Sequence, residues 1–173
     1  MIKVSNTKIE GVRIIEPKIH FDERGYFSET YNQSEFNQKV DSINFIQDNE
    51  SCSIFGTLRG LHFQDDNGQG KLVSCIKGEI YDVLVDLRKN SNTYREWIGI
   101  NLSGNDNKFI YIPPGFAHGY YVLEEESLVS YKCTRHYNPN NEIGIIWNDS
   151  DIQIDWHNID NFNPDEVILS DKD

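Results

Sequence analysis

At 173 residues the chain suits one domain, spanning 1–173, and 38% hydrophobic residues, with nine Tyr, nine Phe and three Trp, exclude a disordered polymer. Sixteen Lys and Arg against 28 Asp and Glu give a net charge of −12, which repels phosphate backbones and excludes nucleic acid as a partner. Three scattered cysteines, Cys52, Cys75 and Cys133, fit neither a zinc cage nor a disulfide framework, and no apolar run suits a signal peptide or a membrane span, so a cytoplasmic protein is expected.

In chain order, short Val-, Ile-, Tyr- and Phe-rich segments bounded by Gly, Pro, Asn or Asp predict strands at 12–16 and 27–31. "NQSEFNQKV" follows as a short helix, with Asn32 or Ser34 as its cap and Phe36 and Val40 on one face. Further strands are expected at 44–49, 51–54, 71–77, 96–102, 109–112, 119–123, 127–134 and 145–147, with "GTLRGLHFQ" (56–64) suited to a sheet. In "GEIYDVLVDLR", Tyr81, Val83, Val85 and Leu87 share one parity and pack a core. Asp82, Asp86 and Arg88 share the other with Ile80 and Leu84, the pattern of a wall that also lines a polar cavity. Residues 148–168 read as an ordered loop with a turn of helix. Roughly ten short strands in one domain predict a mainly β fold, a barrel or double-sheet jelly roll.

Two histidines stand in Gly-bounded segments, His62 in "RGLHFQ" and His118 in "IPPGFAHGYY". One imidazole per strand, with no Glu after His62 until Glu79, is too few ligands for a transition metal, so no metal is expected. An imidazole without a metal is a proton-transfer group near neutrality. Arg59, three residues before His62, and Lys71, in "GQGKLV", place cations beside it and point to an anionic ligand.

The segments "DERGYFSETYN", "QDNESCSIFGTLRGLHFQ", "QGKLVSCIKGEIYDVLVDLRKNS", "IPPGFAHGYYVL", "YKCTRHYNPNNEIGIIWND" and the closing "LSDKD" resemble, in order and spacing, the dTDP-4-dehydrorhamnose 3,5-epimerase family. The resemblance covers the chain from about residue 10 to its last residue. It implies a cupin-type jelly-roll barrel with short flanking helices, a homodimer, no cofactor, and a nucleotide-diphospho-4-keto-6-deoxy sugar inverted at C3, C5 or both. It also implies catalytic roles for His62 as base, Asp173 as its carboxylate partner, Lys71 as enolate stabiliser and Tyr131 as proton donor. Arg24 and Arg59 match phosphate contacts, Gln47, Asn49 and Tyr137 match substrate contacts, and Phe27 and Glu29 match residues that complete a neighbouring subunit's site. His118, with Asp82, matches a supporting position near the sugar.

Two departures bear on this expectation. His136 in "TRHYN" stands where many dTDP enzymes of the family carry an aromatic, which leaves a GDP-linked sugar, hexose or heptose, as an alternative substrate. Asp173 is the last residue, and terminal residues fray unless tied down. Two readings from other classes are a non-catalytic barrel that binds a sugar nucleotide and a metal-dependent oxygenase of the same fold.

Overall fold

The computed structural model describes residues 1–65, 68–160 and 162–173. Strands β1 (Ile2–Asn6), β2 (Arg13–Pro17), β5 (Gln47–Ser53), β7 (Lys71–Lys77), β10 (Phe109–Ile112) and β12 (Ser127–Cys133) form one sheet, in the order β1-β2-β10-β7-β12-β5. Strands β6 (Leu58–Gln64), β8 (Glu79–Asp86), β9 (Trp97–Ser103), β11 (Phe116–Val122) and β13 (Glu142–Gly144) form a second, in the order β13-β6-β11-β8-β9. Their pairings are antiparallel, and strands distant in sequence lie side by side, the jelly-roll arrangement that the cupin-type resemblance implies. A separate hairpin, β3 (Ile19–Asp22) and β4 (Gly25–Ser28), stands apart from both sheets.

Period-two alternation sorts the side chains into three apolar layers. Val73, Ile110 and Val129 of the first sheet meet Ile80, Leu84, Leu102 and Val122 of the second inside the barrel. The outer face of the first sheet, with Ile15, Leu72 and Tyr111, is covered by Phe36 of helix α1 (Gln33–Lys39). Asn32 caps that helix: its side-chain oxygen accepts from the backbone N–H of Glu35 at 3.1 Å. The outer face of the second sheet, with Tyr81, Val83 and Tyr121, lies under Ile152, Trp156 and Ile159. Each such buried side chain contributes about 1.5–3 kcal/mol.

Several elements differ from the sequence reading. Strands β1 and β3 were not expected, and β4 ends at Ser28 rather than starting at 27. The separate strands at 44–49 and 51–54 are one strand, β5, whose polar residues alternate toward the barrel interior. The strand expected at 145–147 forms at Glu142–Gly144 instead, where the β6 edge supplies a partner. Residues 148–168 carry two 3-10 turns, Trp156–Asn158 and Pro164–Glu166, and act as the apolar cover of the second sheet. Among the described residues no helix is long and apolar enough to cross a membrane.

Candidate active site

One end of the barrel interior is apolar; the other opens as a cavity of about 420 Å³. Strand parity explains its lining. Lys71 shares the inward face of β7 with Val73, and Tyr131 and Cys133 share that of β12 with Val129. Cys133 stands directly opposite Lys71 in the ladder, while Tyr131 pairs with both Val73 and Asn49. Gln47, Asn49 and Ser51 occupy alternate positions of β5.

Across the cavity, His62 of β6 pairs in register with His118 of β11, and a register shift follows before Arg59 pairs with Tyr120. Two glycines permit this close approach. Gly60 has φ of +106°, and a Cβ there would lie 2.5 Å from the His118 carbonyl oxygen; one on Gly119 would lie 2.6 Å from the Arg59 oxygen.

His62 Nε2 lies 3.2 Å from Asp173 Oδ1. The terminal tail is tied down rather than frayed: Gly60 N–H donates to Asp173 Oδ1 at 2.8 Å, and the Ser170 hydroxyl donates to Oδ2 at 2.6 Å. Burial raises the Asp173 carboxyl, but these donors and the neighbouring His62 outweigh it and hold it below the usual carboxylate value. The second imidazole is held differently. His118 Nε2 lies 2.7 Å from Asp82 Oδ2, both side chains are buried, and Asp82 Oδ1 has no hydrogen-bond partner among the described residues. Burial pushes the His118 pKa down; Asp82 opposes this, and Lys71 and His62 reinforce it.

Burial also lowers the Lys71 ammonium, with Cys133, Asp82 and Glu142 pulling it back, and it raises the Tyr131 phenol, which therefore keeps its proton at neutral pH. Arg59 is exposed at the rim, its Nε donating to the Ser53 hydroxyl at 3.0 Å. Tyr137 lines the mouth, whereas His136 lines an adjoining cavity of about 390 Å³ with Arg135.

The cavity thus gathers His62, Lys71, Tyr131 and Asp173 with Gln47, Asn49, Arg59, His118 and Tyr137. It does not gather Arg24, Phe27 or Glu29, which are exposed on or beside the β3–β4 hairpin; Arg24 is paired with Asp22 at 2.7 Å. Sequence reading missed Ser51, Tyr120, Glu142 and Lys172 as lining residues. Alternation from Gln47 and Asn49 points to Ser51, and that from His118 to Tyr120. Glu142 and Lys172 lie inside the motifs "NNEIG" and "LSDKD". Among the described residues no three His, Cys, Asp or Glu side chains converge as a metal site would need.

A jelly roll whose polar end combines an imidazole–carboxylate pair, a desolvated ammonium and a protonated phenol defines a cupin-type barrel equipped for acid–base chemistry. A family model described as dTDP-4-dehydrorhamnose 3,5-epimerase matches residues 6–173. The dTDP-4-dehydrorhamnose 3,5-epimerase of Methanothermobacter thermautotrophicus is 52% identical over 171 residues, covering 96% of this chain and 89% of the relative. The crystal structure of the enzyme of that name from Elizabethkingia anophelis is 44% identical, covers 99% of this chain and 92% of its own, and superposes with a TM-score of 0.91. That of a Legionella pneumophila dTDP-6-deoxy-D-glucose-3,5-epimerase in complex with dTDP-4-keto-L-rhamnose is 43% identical, with 99% and 89% coverage and a TM-score of 0.93. The chain belongs to the dTDP-4-dehydrorhamnose 3,5-epimerase family and is an isomerase of the carbohydrate-epimerase kind.

Proposed function

We propose that this chain, as a single catalytic domain acting in the cytosol, inverts C3 and C5 of a dTDP-linked 4-keto-6-deoxy sugar. His62 removes the proton on the carbon beside the ketone, and the C–H electron pair moves to the carbonyl oxygen to give an enolate. Asp173, with Oδ1 3.2 Å from Nε2, orients the ring and steadies the charge that it acquires. Lys71 holds the enolate oxygen, an electrostatic contribution of about 3 kcal/mol in comparable sites. Tyr131 donates a proton to the opposite face of the carbon and recovers one from solvent, to which the His62 imidazolium releases the proton that it took. Atoms and electrons balance, since one hydrogen leaves and one returns at each centre.

The observation that carries this reading is the convergence of His62, Lys71 and Tyr131 on one cavity of about 420 Å³. Arg59 at its rim suits the diphosphate. The relatives reported above are named for dTDP-linked sugars, which supports dTDP over the GDP-linked alternative. The working form is a homodimer in which Arg24, Phe27 and Glu29 of each hairpin complete the other subunit's nucleotide site. The exposure of Tyr26 and Phe27, at 63% and 69%, supports that reading.

The test offers dTDP- and GDP-linked 4-keto-6-deoxy sugars separately in heavy water and follows the C3 and C5 protons by NMR. Deuterium is expected at both carbons of the dTDP sugar. Absence of exchange with either nucleotide removes the proton-abstraction reading; exchange at one carbon only reduces it to a single-centre epimerase.

A further inference from the structure

We infer that Lys172 is a positioning residue of this reaction: by clasping Glu142 and Tyr137 at the cavity mouth, it keeps the terminal tail where Asp173 meets His62. The inference rests on the acid–base roles proposed above. Ile168 is the last residue of the tail whose backbone is bonded to the barrel, through Gly56 and Leu58. Beyond it, Leu169, Ser170, Asp171 and Lys172 are exposed. The turn that follows closes on itself: Asp173 N–H donates to the Ser170 carbonyl, and the Ser170 hydroxyl donates to Asp173 Oδ2. Those bonds shape the turn but do not attach it to the barrel.

Attachment comes from two places. One is Asp173 itself, on Gly60 N–H and His62. The other is Lys172, whose Nζ donates to Glu142 Oε2 at 2.9 Å and to the Tyr137 hydroxyl at 3.2 Å, while that hydroxyl donates to the same Glu142 oxygen at 2.9 Å. Glu142 begins β13, the strand that pairs with β6, and its ladder sets Gly144 opposite His62. The clasp therefore ties the tail to the element beside the base. Burial raises the Glu142 carboxyl, yet Lys172, Tyr137 and His62 bring it below its usual value, and Lys172 is raised to about 12, so both partners stay charged through neutral pH.

A clasp and a simple substrate contact predict different behaviour of the ligand-free protein, and the Gly60 N–H, which donates to Asp173 Oδ1, reports the difference. If Lys172 only contacts substrate, deleting its charge leaves the tail in place and the Gly60 amide protected. If Lys172 holds the tail, its loss releases Asp173 and opens that amide to exchange.

The experiment follows hydrogen exchange of the Gly60 amide by NMR in the full, ligand-free chain and compares wild type, Lys172→Met, Lys172→Arg and Asp173→Ala. The clasp predicts that Lys172→Met speeds this exchange, as Asp173→Ala does, and that Lys172→Arg restores protection. It also predicts that kcat for Lys172→Met falls ~10- to 100-fold while KM changes little. Unchanged protection of the Gly60 amide in Lys172→Met overturns the clasp, as does a rise in KM with kcat preserved. If the wild type exchanges no sugar proton, the proposed reaction fails, while the amide exchange still decides whether Lys172 places Asp173.

Discussion

His62 and His118 stand opposite each other in the β6–β11 ladder, and each meets a carboxylate, but the two pairs are assembled from different parts of the chain. The partner of His118 is Asp82, in the middle of β8 and wholly buried, so both ends of the 2.7 Å contact are fixed by neighbouring strands. The partner of His62 arrives on the terminal tail, at 3.2 Å, and that imidazole remains 24% exposed to the cavity. Similar chemistry thus divides into two duties. A buried imidazole pressed toward neutrality is suited to hold shape and orient a ligand, whereas one at the mouth with a charged partner can accept a proton and release it.

The largest expected break in this comparison is His62→Asn. Deuterium wash-in should fall ~10³- to 10⁴-fold, or about 4–5.5 kcal/mol of barrier, with dTDP binding retained in calorimetry. Wash-in near the wild-type rate would transfer the base role elsewhere. Asp82→Ala should act chiefly on stability instead, costing about 3 kcal/mol because it strands a buried partner, which is roughly 6–12 °C in a thermal scan of a chain this size. Next comes Asp173→Asn, which should slow wash-in ~100-fold, about 2.7 kcal/mol, while leaving the melting temperature close to wild type. If it instead melts as early as Asp82→Ala, the distinction between a working pair and a structural pair is lost.

The smallest effect is a pH dependence. Burial holds the folded-state pKa of His118 below the ordinary imidazole value of about 6.5, so the folded protein takes up this proton less readily than the unfolded chain. Its contribution is fully present above 6.5 and is lost as pH falls from there toward the depressed folded value. Wild type should therefore lose stability below pH 6.5 more steeply than His118→Gln, as denaturant melts at several pH values would reveal. Parallel curves would mean that burial does not set the protonation of this ring.

Most of the β framework was legible because short apolar segments between turn residues carry their own period, as in 71–77 and 109–112, and in 96–102, which forms one residue later as β9. The parity split of residues 78–88 holds for the same reason: Tyr81, Val83 and Val85 pack outward, while Ile80 and Leu84 face the interior with Asp82 beside His118. The expected polar cavity wall does not form there: neighbouring strands line the cavity, and Asp86 is taken up by Arg88, Ser91 and Thr93. What period alone could not supply was a partner. Strand β1 is half polar and is a strand because it pairs with β2 from Ile2 opposite Pro17 to Asn6 opposite Arg13. The Asp- and Asn-rich segment 148–168 looked like loop, yet its scattered Ile152, Trp156 and Ile159 find a sheet face to cover. Within the cavity, His62, Lys71 and Tyr131 came from matching motifs, whereas Glu142 and Lys172 escaped notice because their link joins residues thirty apart.

Gly60 and Gly119 fix the gap between the two histidine strands by lacking side chains, since a methyl group at either would strike the facing backbone. A saturation library should therefore tolerate almost no replacement at these two positions, although neither offers a reactive group. Their intolerance would record a dimension of the pocket rather than a step of its chemistry, and positions 60 and 119 could easily be misread as catalytic.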